Sequence, residues 1–292
     1  MRVDGKEVGV FALLTVIWGT TWAAIRIALQ GIPPITGVAA RFAIAGVALV
    51  AFGALRGVRF GITRTERRLW IVNAATTFAG SYGIVYWGEQ WVPSGLAAIL
   101  FATLPLWIVL LGPFFLGKKS GGWSRVAGVL CGFVGVAIVF SEDFEKFGGA
   151  QVRFASLVFL LAPFVSAIGT LAVKRWGEGI SPYSTAGVPM LLTGAGMGLL
   201  ALLVERQRPI AWTAGPWLAT LYLALFGSAL TFSLYFWLLS RRSAVVASQI
   251  AYTVPICAVV VGWLAFEEPV TWRLVVGGGV VLAGVAATIA RG

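Results

Sequence analysis

The side chains of this chain that could do chemistry are hydroxyls, amides and aromatic rings set at helical spacing inside apolar runs. Thr15, Trp18, Trp22 and Ile25 share one stripe, Phe78, Tyr82, Tyr86 and Glu89 a second, and Asn73, Thr77 and Gly80 a third. Later runs align Ser156, Phe159, Pro163, Ser166 and Thr170, then Ser228, Thr231 and Tyr235, then Ser248, Gln249, Tyr252 and Pro255. Residues three or four apart lie on one face of a helix. Groups of this kind hold a small molecule by ring stacking and hydrogen bonds. Bond-making chemistry has no material: the chain has no His, which excludes imidazole metal sites, His-based triads and an imidazole proton switch. No buried nucleophile stands beside a base, so the expectation is no enzyme, no catalytic residue, no metal and no cofactor.

The elements that must carry these stripes follow from composition. Of 292 residues, 59% are hydrophobic and 11% charged, against roughly 45–50% and about 25% in soluble domains. So little charge cannot solvate a soluble exterior, and the apolar residues must face lipid. A spanning helix needs about 20 apolar residues. Cutting at charges and at Pro/Gly-rich breaks predicts ten spans, near 8–29, 35–56, 68–88, 93–116, 123–141, 153–174, 182–204, 213–239, 244–266 and 271–290. The first is too long, and too rich in Trp and Thr, for a cleaved signal peptide. The connections are short, so neighbouring spans should pack antiparallel. Cys131 and Cys257 sit in apolar runs and read as small packing residues.

The net charge of +11 does not call for nucleic acid, because basic residues accumulate in the cytoplasmic loops of membrane proteins. With the N-terminus inside, fifteen Lys and Arg fall on the cytoplasmic side, chiefly at Arg56–Arg68, Lys118–Arg125, Lys174-Arg175 and Arg241-Arg242, and five on the other. Both termini are therefore expected in the cytoplasm of a bacterial inner (plasma) membrane protein.

A shift of about 148 residues lays the second half over the first. Gly31-Ile32-Pro33-Pro34 falls on Gly179-Ile180-Ser181-Pro182, Gly46 on Gly194, Gly80-Ser81 on Gly227-Ser228, Thr103 and Pro105 on Thr253 and Pro255, Gly112 on Gly262, and Trp123, Gly128 and Gly135 on Trp272, Gly277 and Gly284. Five spans per half is an odd number, so the second half should enter the membrane in the opposite sense. Loop charge reverses accordingly: Lys118-Lys119 corresponds to Glu267-Glu268, and Glu89 to Arg241-Arg242. The expected fold is an all-α integral membrane protein of ten transmembrane helices in two inverted-topology five-helix repeats, residues 1–146 and 147–292. Such repeats are typical of secondary transporters, which bind substrate near the midplane where the repeats meet.

Each half also carries a fourth helix written Ser94-Gly95-Leu96-Ala97-Ala98…Pro105…Gly112 or Ser243-Ala244-Val245-Val246-Ala247-Ser248…Pro255…Gly262. Along its full length the chain resembles the EamA-like branch of the drug/metabolite transporter superfamily. The aromatic first and third spans (Trp18, Trp22, Tyr82, Tyr86, Trp87) look most like bacterial exporters of aromatic and neutral amino acids of the YddG type. The family often shows Gly-Glu after the fourth helix of each repeat; here the first repeat has Gly117-Lys118, and the second keeps Glu267.

The expected substrate-binding residues are Trp18, Trp22, Asn73, Thr77, Tyr82, Phe101, Ser166, Tyr235, Ser248, Gln249 and Tyr252. Ser, Thr and Gly also serve helix contacts, and Trp and Tyr the interfacial belt; the belt is the expectation for Trp87, Trp91, Trp123 and Trp272. Pro105 and Pro255, at matching mid-helix positions, are expected to kink their helices as paired gates, or for packing alone. All eleven acids fall in loops or at span ends, Glu89 among them, so the expectation is facilitative movement rather than proton coupling, which needs a buried titrating group. Arg26 and Arg41 are expected to snorkel, or one of them to attract a substrate carboxylate. The chain is thus read as an alternating-access exporter of small neutral or zwitterionic metabolites, amino acids and aromatic ones included, or alternatively as a broad exporter of hydrophobic drugs. Its partners would be that small-molecule substrate and the bilayer, with no nucleic acid, and the chain a monomer.

Overall fold

A computed structural model describes residues 5–117, 123–141, 145, 148–211, 213–248 and 250–289. Its regular elements are helices: α1 (Gly5–Leu29), α2 (Pro34–Leu55), α3 (Arg64–Asn73), α4 (Tyr82–Gly88), α5 (Ser94–Phe101), α6 (Leu104–Leu116), α7 (Trp123–Phe140) and α8 (Ala150–Phe159). The second half adds α9 (Leu161–Trp176), α10 (Pro182–Val204), α11 (Ala214–Ala224), α12 (Thr231–Arg241), α13 (Ala244–Ala247), α14 (Ile250–Phe266) and α15 (Trp272–Ile289). Among the described residues, six stretches are long and apolar enough to cross a membrane: Gly5–Leu29, Pro34–Leu55, Ser94–Leu116, Ala150–Trp176, Pro182–Val204 and Ala214–Arg241. Shorter apolar helices cover Ala127–Phe140, Thr253–Phe266 and Trp272–Gly284. The chain is thus a multi-pass, all-helical membrane protein.

Two departures from regular α-helix were not foreseen. Ala74–Ser81 joins α3 to α4 as a π-helical segment, and Leu225–Leu230 joins α11 to α12 in the same way. Each contains one of the repeated Gly-Ser pairs, Gly80-Ser81 and Gly227-Ser228. A π turn widens the helix and loosens its carbonyls from the usual ladder, which is why such turns gather at functional sites.

Glycine sets the closest helix contacts. The α2–α10 pair crosses where a Cβ on Gly46 would lie 2.6 Å from the Leu191 backbone nitrogen, and one on Gly194 2.6 Å from that of Ala43. Along α7 and α15, Gly135 meets Val281, and Gly284 meets Gly132. In both pairs, rising residue numbers on one helix meet falling numbers on the other, so the helices run antiparallel. Where hydrocarbon replaces water there is no hydrophobic drive between helices, and close backbone approach through small residues supplies the packing.

Two helix starts borrow caps from distant loops. The residues before α2 and α5 are Pro33 and Pro93, which give no side-chain cap. Glu205 accepts from the Ile35 and Thr36 backbone N–H groups at 3.0 and 2.8 Å. Glu268 accepts from those of Ser94 and Gly95 at 2.9 and 3.0 Å, and from the Ser94 hydroxyl at 2.8 Å. Each carboxylate satisfies orphaned donors and complements the positive end of the helix dipole.

Candidate functional site

A central cavity of about 90 Å³ lies among α1, α4, α5, α9, α12, α13 and α14. That is room for roughly half a dozen waters, and so for one small metabolite. Its wall includes Trp18, Thr21 and Trp22 of α1, Thr77 of the first π segment, Tyr82 of α4 and Phe101 of α5. From the second half come Ser166 and Thr170 of α9, Phe232 and Tyr235 of α12, and Ser248 after α13. Among the described residues, no charged side chain lines it.

The rings brace one another. Trp18 meets Phe232 and Tyr235 with centroids 5.6 and 5.4 Å apart, and Trp22 meets Phe101 at 5.6 Å. Edge-on and tilted contacts of this kind hold rings in place. The indole N–H groups of Trp18 and Trp22 and the Thr77 hydroxyl are buried with no hydrogen-bond partner among the described residues. An unmet buried donor costs about 1–3 kcal/mol, so an acceptor on a bound molecule would recover that cost.

Eight of the expected binding residues therefore line the cavity: Trp18, Trp22, Thr77, Tyr82, Phe101, Ser166, Tyr235 and Ser248. Asn73 does not. It is buried at the helix interface, where its side-chain amide donates to the Thr185 carbonyl at 2.8 Å. Gln249 and the Tyr252 side chain, like Lys118 and Lys119, lie outside the described residues. Phe232 was missed, although it stands one turn from Ser228 and from Tyr235 on the stripe already drawn.

The expected proline kinks take another form. The break in the fourth span comes at Ala102-Thr103, so Pro105 sits in the first turn of α6, where its missing N–H costs nothing. Pro255 stays inside α14, and the matching interruption precedes it, where α13 ends at Ala247. Both interruptions border the cavity, through Ala102 and Ser248.

Arg41 does not snorkel. Arg41 is fully buried; its Nε donates to the Ser228 hydroxyl at 2.7 Å and its Nη2 to the Gly227 carbonyl at 3.1 Å. Its guanidinium lies 4.5 Å from the Tyr82 ring centroid. The π segment offers the carbonyl, and the ring and hydroxyl complete a site that repays burial better than a distant headgroup would. Arg26 pairs with Glu268 and covers the Phe266 ring at 4.8 Å. Glu89 also departs from expectation: placed at a span end by sequence, it is 5% exposed.

Two segments, residues 6–141 and 153–290, match the family described as EamA-like transporters. The chain belongs to the EamA-like transporter family. This EamA-like protein is 29% identical to a probable terminal-alkyne amino-acid exporter of Streptantibioticus cattleyicolor, over 96% of its own length and 92% of the relative's. It is 24% identical to the uncharacterized transporter YoaV of Bacillus subtilis, covering 93% and 92% of the two chains. With the uncharacterized inner membrane transporter YedA of Escherichia coli it shares 28% identity over 87% and 81%. A solved crystal structure, 19% identical, superposes with a TM-score of 0.71 over 99% of this chain and 98% of its own, a likeness of fold. The protein is thus a multi-pass membrane transporter of the drug/metabolite superfamily.

Proposed function

We propose that this transporter exports small neutral or zwitterionic metabolites, amino acids with aromatic side chains among them, by alternating access. The observation that carries the reading is the central cavity: enclosed by elements of both halves, sized for one small molecule, walled by aromatic faces, and supplied with unmet N–H and O–H donors. Donors of that kind suit a carboxylate or carbonyl, and ring faces suit an aromatic side chain. We further read the fold as ten spans in two inverted repeats, residues 1–146 and 147–292, with both termini cytoplasmic. The antiparallel pairing of α2 with α10 and of α7 with α15, corresponding spans of the two halves, supports this. So does the parallel run of α1 with α14, where Thr15 meets Thr253 and Gly19 meets Cys257. Two interrupted helices at one cavity are what alternating access by rocking repeats requires.

The mainly apolar lining equally favours the second reading, a broad exporter of hydrophobic drugs. Facilitative movement rested on the absence of a buried acid, and the burial of Glu89 removes that ground. Counterflow in proteoliposomes tests the substrate class. Exchange of labelled phenylalanine, methionine or threonine supports the amino-acid reading; no exchange of any of them, with exchange of a lipophilic cation, refutes it.

A further inference from the structure

Glu89 follows the last residue of α4 and is 5% exposed. Both of its carboxylate oxygens are buried without a hydrogen-bond partner among the described residues. It lines a second space, a vestibule of about 670 Å³ whose wall also includes Arg26, Gln30, Gln90, Glu267 and Glu268. Val85 and Tyr82 of the cavity wall lie one and two turns before it along α4. A molecule passing between cavity and vestibule along α4 must pass Glu89.

Glu268, the other buried carboxylate at this end, is engaged, whereas Arg41 keeps one nitrogen, Nη1, buried without a hydrogen-bond partner among the described residues. Glu268 caps α5 and pairs with Arg26, which also covers Phe266. Arg41 is held by Ser228 and Gly227. The ionisable groups facing Glu89 are Arg26 of α1, Arg41 of α2, Tyr82 and Tyr86 of α4 itself, and Glu268 beyond α14. The only ionisable side chain of α8, which packs on α4, is Arg153, and it is exposed. An unpaired carboxylate anion is costly in such a place: burial pushes the Glu89 carboxyl well above the usual carboxylate range, Glu268 beside it adds like charge, and Arg41 and Arg26 offset only part of the rise. The described residues of the cavity wall include no anion for a protonated amine; Glu89 is the nearest one available along α4.

We propose that Glu89 is the amine-binding carboxyl of the transport path: the primary ammonium of a transported molecule replaces its proton. The carboxyl O–H bond breaks, the proton passes to vestibule water, and the carboxylate pairs with the ammonium, one proton released for each amine bound. This rests on the reading of the chain as an exporter of small metabolites and narrows its ligands to those carrying a protonated amine.

The probes are phenethylamine, an amine without a carboxylate, and 3-phenylpropionate, a carboxylate without an amine. In proteoliposomes of the full chain, a hydrophobic carbodiimide should label Glu89, as read by peptide mass spectrometry. Phenethylamine should protect at least about tenfold better than 3-phenylpropionate, the ratio that one charge pair of modest strength gives. Wild-type affinity for phenethylamine should rise about tenfold per pH unit while Glu89 stays protonated in the free protein. In Glu89→Gln, which has no carboxyl to label, both the amine preference and this pH dependence, read as ligand-induced shifts of the melting profile, should vanish, with the protein still folded by that profile. Equal protection by the two probes, failure to label Glu89 at any pH, or an unchanged amine preference in Glu89→Gln overturns the proposal. Amine protection in a protein that does not exchange amino acids supports the site while refuting the amino-acid reading.

Discussion

Removing the Glu268 carboxylate should destabilise the protein mainly through α5 and only slightly through the ion pair. Glu268→Ala deprives two backbone donors and one hydroxyl of their acceptor, at 2.9, 3.0 and 2.8 Å, and no residue next to α5 can replace it because Pro93 gives no side-chain cap. Losing a helix cap costs about 0.5–2 kcal/mol, and a buried donor left unmet about 1–3 kcal/mol. Some of that returns as water enters from the vestibule, so about 2–4 kcal/mol remains. Arg26, by contrast, has a side chain 38% exposed, and a pair with one partner that wet contributes about 0–1 kcal/mol. Reversible unfolding in mixed micelles of mild detergent and SDS measures both single variants and the double variant Arg26→Ala/Glu268→Ala. The expected order is a large effect for Glu268→Ala, a small one for Arg26→Ala, and a coupling of no more than about 1 kcal/mol between them. Equal effects of the two single variants would refute the reasoning, since the ion pair would then carry what is here assigned to the helix start.

Gly194→Val places a Cβ 2.6 Å from the Ala43 backbone nitrogen, where no side-chain rotation relieves the clash; the α2–α10 crossing should open and little monodisperse protein survive size-exclusion chromatography. Recovery at the wild-type level would count against that crossing. Arg41→Lys keeps the charge but loses the planar fork that serves Ser228 and Gly227 together and stacks on Tyr82. Its cost should be about 1–3 kcal/mol in the same unfolding assay, and a neutral result would mean that Arg41 is not held as described.

Composition and periodicity were enough to read much of this protein. Apolar runs too long and too poorly charged for water announce membrane spans whatever their neighbours, and the stripes at three- and four-residue spacing picked out seven of the eight expected residues that line the cavity, because a helix face is a property of local sequence. The repeated Gly46 and Gly194 were legible as a pair for the same reason, although their role, contact between the backbones of α2 and α10, was not.

What sequence could not decide was the partner of each polar group. Asn73 and Thr77 share a stripe, yet one meets the Thr185 carbonyl and the other the cavity. The π segments rotate the faces that follow them, and a period of 3.6 carried straight through cannot show that. Pro105 looked like a kink because a proline inside a helix costs a hydrogen bond, but the chain breaks just before it and removes that cost. Hydropathy ranks Arg41 and Glu89 as charges to be kept near water. Only the packed helices make a buried site for the first and leave the second without a hydrogen-bond partner among the described residues, since the energy of a buried charge is set by what lies within a few ångströms of it, and those neighbours come from distant parts of the chain.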